Sequence, residues 1–160
     1  MTAVVVDTNV LVVASDRAPQ AGPGCVSACA DALAVIQRCG HVVLDAGSLI
    51  LNEYLRNALL AGRPGLGDVF AKWVFYSGQW DAERCELVTI TPSNGSFREF
   101  PQAPELQGFH SDDHKFVAVA LASSNNPEVL NAVDSDWWDF REALARHGVH
   151  VRFLCPEQFD

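Results

Sequence analysis

Val4-Val5-Val6-Asp7-Thr8-Asn9-Val10-Leu11, residues 4–11, decides how this chain folds. Three β-branched residues in a row read as a strand buried on both faces, spanning 3–7. The run stops on an acid followed by small polar residues, and a helical pattern starts at 10–14. A strand that ends in Asp and hands over to a helix is the opening unit of a parallel α/β sheet. In such sheets ligands bind at the carboxyl ends of the strands, near the point where strand order reverses.

The same alternation continues outward from that unit. Pro19, Gly22, Pro23 and Gly24 mark a loop over 19–24. A helix is expected over 27–39, with Ala28, Ala32, Val35 and Ile36 on one side and Gly40 as its stop. A strand follows at 41–44, then helices over 48–61 and 68–79. The next strand is expected at 87–90, and 91–108 reads as a long loop with three prolines. Such length in a compact domain usually goes with function or mobility. A helix over 112–123, a strand over 129–133, a helix over 138–147 and a strand over 149–154 complete the chain. Strands alternating with helices imply one domain, 1–160: a three-layer α/β/α sandwich around a mostly parallel sheet of about five strands.

Composition fits that frame. The chain has 160 residues, 49% hydrophobic and 19% charged, enough for a sizeable core. Its net charge of −9 argues against a broad nucleic-acid-binding surface. No basic leader precedes the first strand, and the apolar runs fall short of a membrane span, so a cytoplasmic protein without membrane contact is expected. The five cysteines (25, 29, 39, 85 and 155) are odd in number and include no CxxC pair. Reduced thiols are the simplest reading. Cys25 and Cys29 can share a helix face, but zinc is set aside because no second pair of ligands is visible.

The acids carry the chemistry. Asp7 ends the first strand. Glu53 lies in a helical pattern, on a polar stripe with Asn52, Arg56 and Asn57. Asp112 and Asp113 open the helical run Phe116 to Leu121. Asp134 and Asp136 follow the run Val129 to Val133. Each alone has an ordinary explanation: Asp7 as a helix cap, Glu53 as an exposed ion pair, Asp112 and Asp113 as favourable charges at a helix N-terminus. Together, at the strand ends and without a matching set of Lys or Arg, they would repel one another unless a hard divalent cation sat among them. That reading makes phosphodiester hydrolysis the natural chemistry. Asp113 shares a helical face with Val117 and Ala120 and is favoured as a ligand, while Asp112 suits the cap. Asn9 argues against a dehalogenase-type phosphatase, which needs a second Asp there. His110 and His114 stand four apart without an HExxH context. Lys72 to Tyr76 mixes charge with aromatics, as stacking platforms do, but a core face or a dimer contact is favoured.

These motifs resemble the PIN-domain nucleases, the family that includes VapC-type toxins of toxin–antitoxin pairs. The opening strand 4–11, the segment Asn52-Glu53-Tyr54-Leu55, the run Asp113-His114-Lys115-Phe116-Val117-Ala118, the segment Ala132-Val133-Asp134-Ser135-Asp136 and the tail Leu154-Cys155-Pro156-Glu157-Gln158-Phe159 carry the resemblance. It implies a metal-dependent endoribonuclease using Mg²⁺ or Mn²⁺, with Asp7, Glu53, Asp113 and Asp136 as its acidic quartet. Asp134 stands where the family has a small polar residue, so either Asp134 or Asp136 is the main ligand. Asn9 and Asp112 are expected to orient ligands or waters. RNA as substrate, an antitoxin protein as partner and a homodimer, formed through the helix bearing Phe70 and Trp73, follow as expectations. The alternative is a PIN-like module that binds protein or RNA and does not cut.

Overall fold

The computed structural model describes residues 2–159. The opening apolar run forms β1 (Ala3–Val6), fully buried, and α1 (Thr8–Ala14) starts two residues earlier than its apolar pattern suggested. The helix α2 (Pro23–Cys39) also starts early, with Pro23 in its first turn, where a missing N–H costs nothing. β2 (His41–Asp45) and α3 (Leu49–Arg56) follow. α3 stops five residues short of the expected end, and Leu59 and Leu60 are left exposed beyond it. α4 (Leu66–Tyr76) leads to β3 (Cys85–Val88), two residues earlier than expected because Cys85 pairs with Val42.

The 91–108 segment is not structureless. β4 (Pro92–Ser93) and β5 (Ser96–Phe97) form a hairpin whose turn is Asn94-Gly95, both at positive φ. Asn-Gly is the strongest short-range signal for such a turn, because both residues tolerate the left-handed backbone it needs. α5 (His114–Ala122), β6 (Glu128–Asn131), α6 (Ser135–Asp139), α7 (Arg141–Arg146) and β7 (Val151–Phe153) complete the order. The single helix expected over 138–147 is therefore two short ones.

The main sheet runs β3-β2-β1-β6-β7, all parallel, and seven α-helices among the described residues flank it as a three-layer sandwich. β1 is central. The chain builds outward from it through β2 and β3, then returns to its other side with β6 and β7. The switch point lies between the carboxyl ends of β1 and β6. α5 packs against β1, β2 and β6, and its buried Phe116, Val117 and Val119 join the core. α1 crosses α4 closely at Gly67, where a Cβ would stand 1.9 Å from the Leu11 carbonyl oxygen. Arg17 clamps the same junction, with Nη1 2.8 Å from the buried Asp68 carboxylate.

Two expectations need correction. Cys25 and Cys155 are joined in a disulfide across 130 residues, so the all-reduced reading fails. Nothing in local spacing signals a pair that only the closing strand brings together. On α4, the helix expected to carry a homodimer contact, Phe70 is fully buried against Tyr54 and Trp73, while Leu66, Val69, Phe75 and Tyr76 are exposed. Asp112 does not cap α5. Its side chain is exposed, and the turn Ser111–Asp113 is capped instead by His110, whose Nδ1 accepts the Asp112 N–H. No described helix is long and apolar enough to cross a membrane.

Candidate metal centre

Asp7 follows β1 and Asp134 follows β6, so adjacent parallel strands deliver both acids to the switch point. Asp113 enters from the turn that opens α5. One carboxylate oxygen from each of the three lies within 4.8 Å of the other two. Asp7 is 4% exposed, and Asp113 and Asp134 are half-buried.

The surrounding bonds fix this geometry. Asp7 does cap α1: its Oδ1 accepts the Asn9 N–H at 3.3 Å. Its Oδ2 accepts from Asn131 Nδ2 at 2.9 Å. Asn131 Oδ1 in turn accepts the Asp134 N–H at 3.2 Å, so one fully buried amide ties two acids together. Asn9 Oδ1 accepts the Ala132 N–H at 2.9 Å, while its buried Nδ2 has no partner. Asp113 sits at the N-cap of α5 but makes no capping bond, so the helix-cap explanation of that acid has no contact behind it.

Glu53 stands beside the trio. Its Oε2 accepts from the Thr8 hydroxyl, and its Oε1 pairs with Lys115 Nζ at 2.8 Å. Lys115 is the one cation that the sequence pattern did not reveal at this site; it is only 12% exposed, and its ammonium bonds both Glu53 and the Asp112 carbonyl. Asp136 is turned elsewhere: its Oδ2 accepts the His110 N–H at 2.9 Å. Of the two acids after β6, Asp134 is the one that joins the cluster.

The charges respond to this crowding. Burial, then the charges of Asp113, Asp134 and Glu53, hold the Asp7 carboxyl well above the usual carboxylate range. Burial and the neighbouring Asp134 and Glu53 push Asp113 up to about 7, against the pull of Lys115 and His110. Burial and Asp136 raise Asp134. Three crowded carboxyls with unfilled lone pairs form an all-oxygen donor set of the kind that hard divalent cations prefer. The residues present therefore fit Mg²⁺ or Mn²⁺.

Sequence reasoning missed Asn131, Thr8 and Lys115. Asn131 had a visible signal, a lone amide inside the apolar run of β6. Lys115 had none, since only the fold sets it against Glu53. His114 is not a ligand in this arrangement. Its Nδ1 meets Ser96 Oγ at 2.7 Å, its Nε2 meets the Phe109 carbonyl at 2.9 Å, and its ring stacks on Phe100. It pins the β4–β5 hairpin to α5. Comparison with protein-family models, curated proteins and solved structures finds no match.

Proposed function

We propose that this chain is an Mg²⁺- or Mn²⁺-dependent endoribonuclease of the PIN type, with Asp7, Asp113 and Asp134 as its metal-holding acids. The observation that supports it most is the convergence of those three carboxylates at the sheet's switch point, with no cation bonded to any of them among the described residues. A divalent ion held there supplies a Lewis acid for a phosphoryl oxygen and lowers the pKa of a neighbouring water.

The chain's own residues have separable tasks. Asn131 and the Asn9 N–H each hold one oxygen of Asp7, which fixes its carboxylate beside Asp113 and Asp134. Glu53, fixed by Thr8 and Lys115, adds a fourth acid at the rim. Lys115 puts one positive charge where an incoming phosphodiester would otherwise meet only carboxylates. Asp136 and Asp112 remain outside, and Asp136 shapes the approach by holding the His110 backbone. RNA as the substrate, and a toxin's role beside an antitoxin, rest on the sequence resemblance.

The test is cleavage of a single-stranded RNA by purified protein, with Mg²⁺, with Mn²⁺ and with EDTA. Wild type should cut only with metal, and Asp7→Asn should lose most of that activity while keeping its fold. Equal cleavage by Asp7→Asn would overturn the nuclease reading. Metal binding without any cleavage would leave a binding module.

A further inference from the structure

Cys25, Cys29 and Cys155 lie together, with their sulfurs all within 4.8 Å of one another and their side chains at 1%, 0% and 0% exposure. A disulfide staple needs two cysteines, and Cys25–Cys155 supplies it. The third is not required for that purpose, yet Cys29 Sγ stands 3.9 Å from Cys155 Sγ. Cys25 and Cys29 are one helical turn apart on α2, so both face the segment that follows β7. We propose that these three residues form a redox-gated zinc site: a disulfide when oxidised, a three-thiolate Zn²⁺ site when reduced.

The spacing supports it. In a tetrahedral site with Zn–S bonds of about 2.3 Å, neighbouring sulfurs stand about 3.8 Å apart. The Cys29–Cys155 separation already has that value. Opening the Cys25–Cys155 bond lets the other sulfurs reach it by side-chain rotation, since the two Cα atoms are 5.3 Å apart. A dithiol reductant supplies two electrons and two protons to the disulfide and is itself oxidised to a disulfide. Zn²⁺ then displaces the three thiol protons. Three thiolates leave one position, for which Glu157, two residues past Cys155 and near enough for its charge to act on Cys29, is the candidate. The donor set separates this site from the acid cluster: sulfur selects a softer cation than carboxylate oxygen does. The inference does not depend on the nuclease reading.

Co²⁺ is the probe, added to dithiol-reduced protein under anaerobic conditions. Wild type should take up one equivalent with thiolate-to-cobalt charge-transfer absorption, a signature that oxygen ligands at Asp7, Asp113 and Asp134 do not give. Asp7→Asn should leave that band unchanged, and the disulfide form should lack it. Cys29→Ser keeps the staple when oxidised. Reduced, it should bind at least about a hundredfold more weakly, because losing a direct ligand costs no less than losing an outer-shell partner. Three outcomes would overturn the site: no band in reduced wild type, a band of equal affinity in Cys29→Ser, or reduced protein that unfolds and is not refolded by Co²⁺. In each case Cys29 is a buried apolar filler beside a structural disulfide.

Discussion

Replacing Asp113 with Asn should stabilise the metal-free protein, and the gain should grow with pH. Burial, then the charges of Asp134 and Glu53, push the Asp113 carboxyl up to about 7 in the folded chain, from an ordinary value of 3.8. Between those two values the folded state holds a proton that the unfolded chain has lost. Because the folded value is the higher one, stability falls as pH rises through that window. A gap of about three pKa units corresponds to about 4 kcal/mol at full effect, and screening at this half-buried position trims it to about 2–4 kcal/mol. For a chain of this size that is a difference of roughly 5–15 °C in Tm. Thermal melts in EDTA from pH 4 to pH 8 read it directly. The Asp113→Asn and wild-type curves should meet near pH 4 and separate by pH 7.5, with the variant higher. Mn²⁺ at a hundredfold excess over its dissociation constant should then raise wild type by about 2.7 kcal/mol and the variant by less. Parallel curves across the pH range, or equal gains from Mn²⁺, would refute both the crowding argument and Asp113 as a ligand.

Two further outcomes follow from particular contacts. Asp134→Asn should reduce metal-dependent cleavage more than Asp136→Asn does, because only Asp134 joins the trio while Asp136 bonds the His110 backbone; steady-state rates with Mn²⁺ rank them, and the reverse order would make Asp136 the ligand. Gly67→Ala should cost about 3 kcal/mol, at the upper end for overpacking, since its Cβ would overlap the Leu11 carbonyl; a Tm within about 2 °C of wild type would mean that α1 and α4 separate at little cost.

Much of this fold is written in short apolar runs. Val4 to Val6, Val42 to Leu44 and Val129 to Leu130 are buried on both faces, as central parallel strands must be. Helix ends were less legible, because tertiary contacts set them: α3 stops at Arg56 although Leu59 and Leu60 continue its apolar pattern, and both remain exposed. The acids show the limit more sharply. Asp7 and Asp45 look alike in sequence, each closing a valine-rich strand, and both are buried, at 4% and 2% exposure. Asp45 has both oxygens engaged by backbone N–H groups of α3, Leu49 at 2.8 Å and Ile50 at 2.9 Å. Asp7 faces two other carboxylates. Only strand order distinguishes them, since β1 and not β2 borders β6 at the switch point.

That border also explains how the fold tolerates the crowding. The ends of β1 and β6 are laced in both directions. The Asp7 N–H donates to the Leu130 carbonyl at 3.0 Å, Asn131 reaches across to Asp7, and Asn9 reaches back to Ala132. Each bond joins a side chain or amide of one strand to the other, and the interior behind them is fully buried. Buried amides left unpaired cost more than a paired bond contributes, so this lattice resists coming apart even though it presses Asp7 toward Asp134. The repulsion is therefore held by hydrogen bonds from backbone and side-chain amides, which do not depend on metal. Asp7 and Asp134 are thus held side by side by contacts within the chain, and a divalent cation bound there, as proposed, would stabilise the fold by relieving their charge.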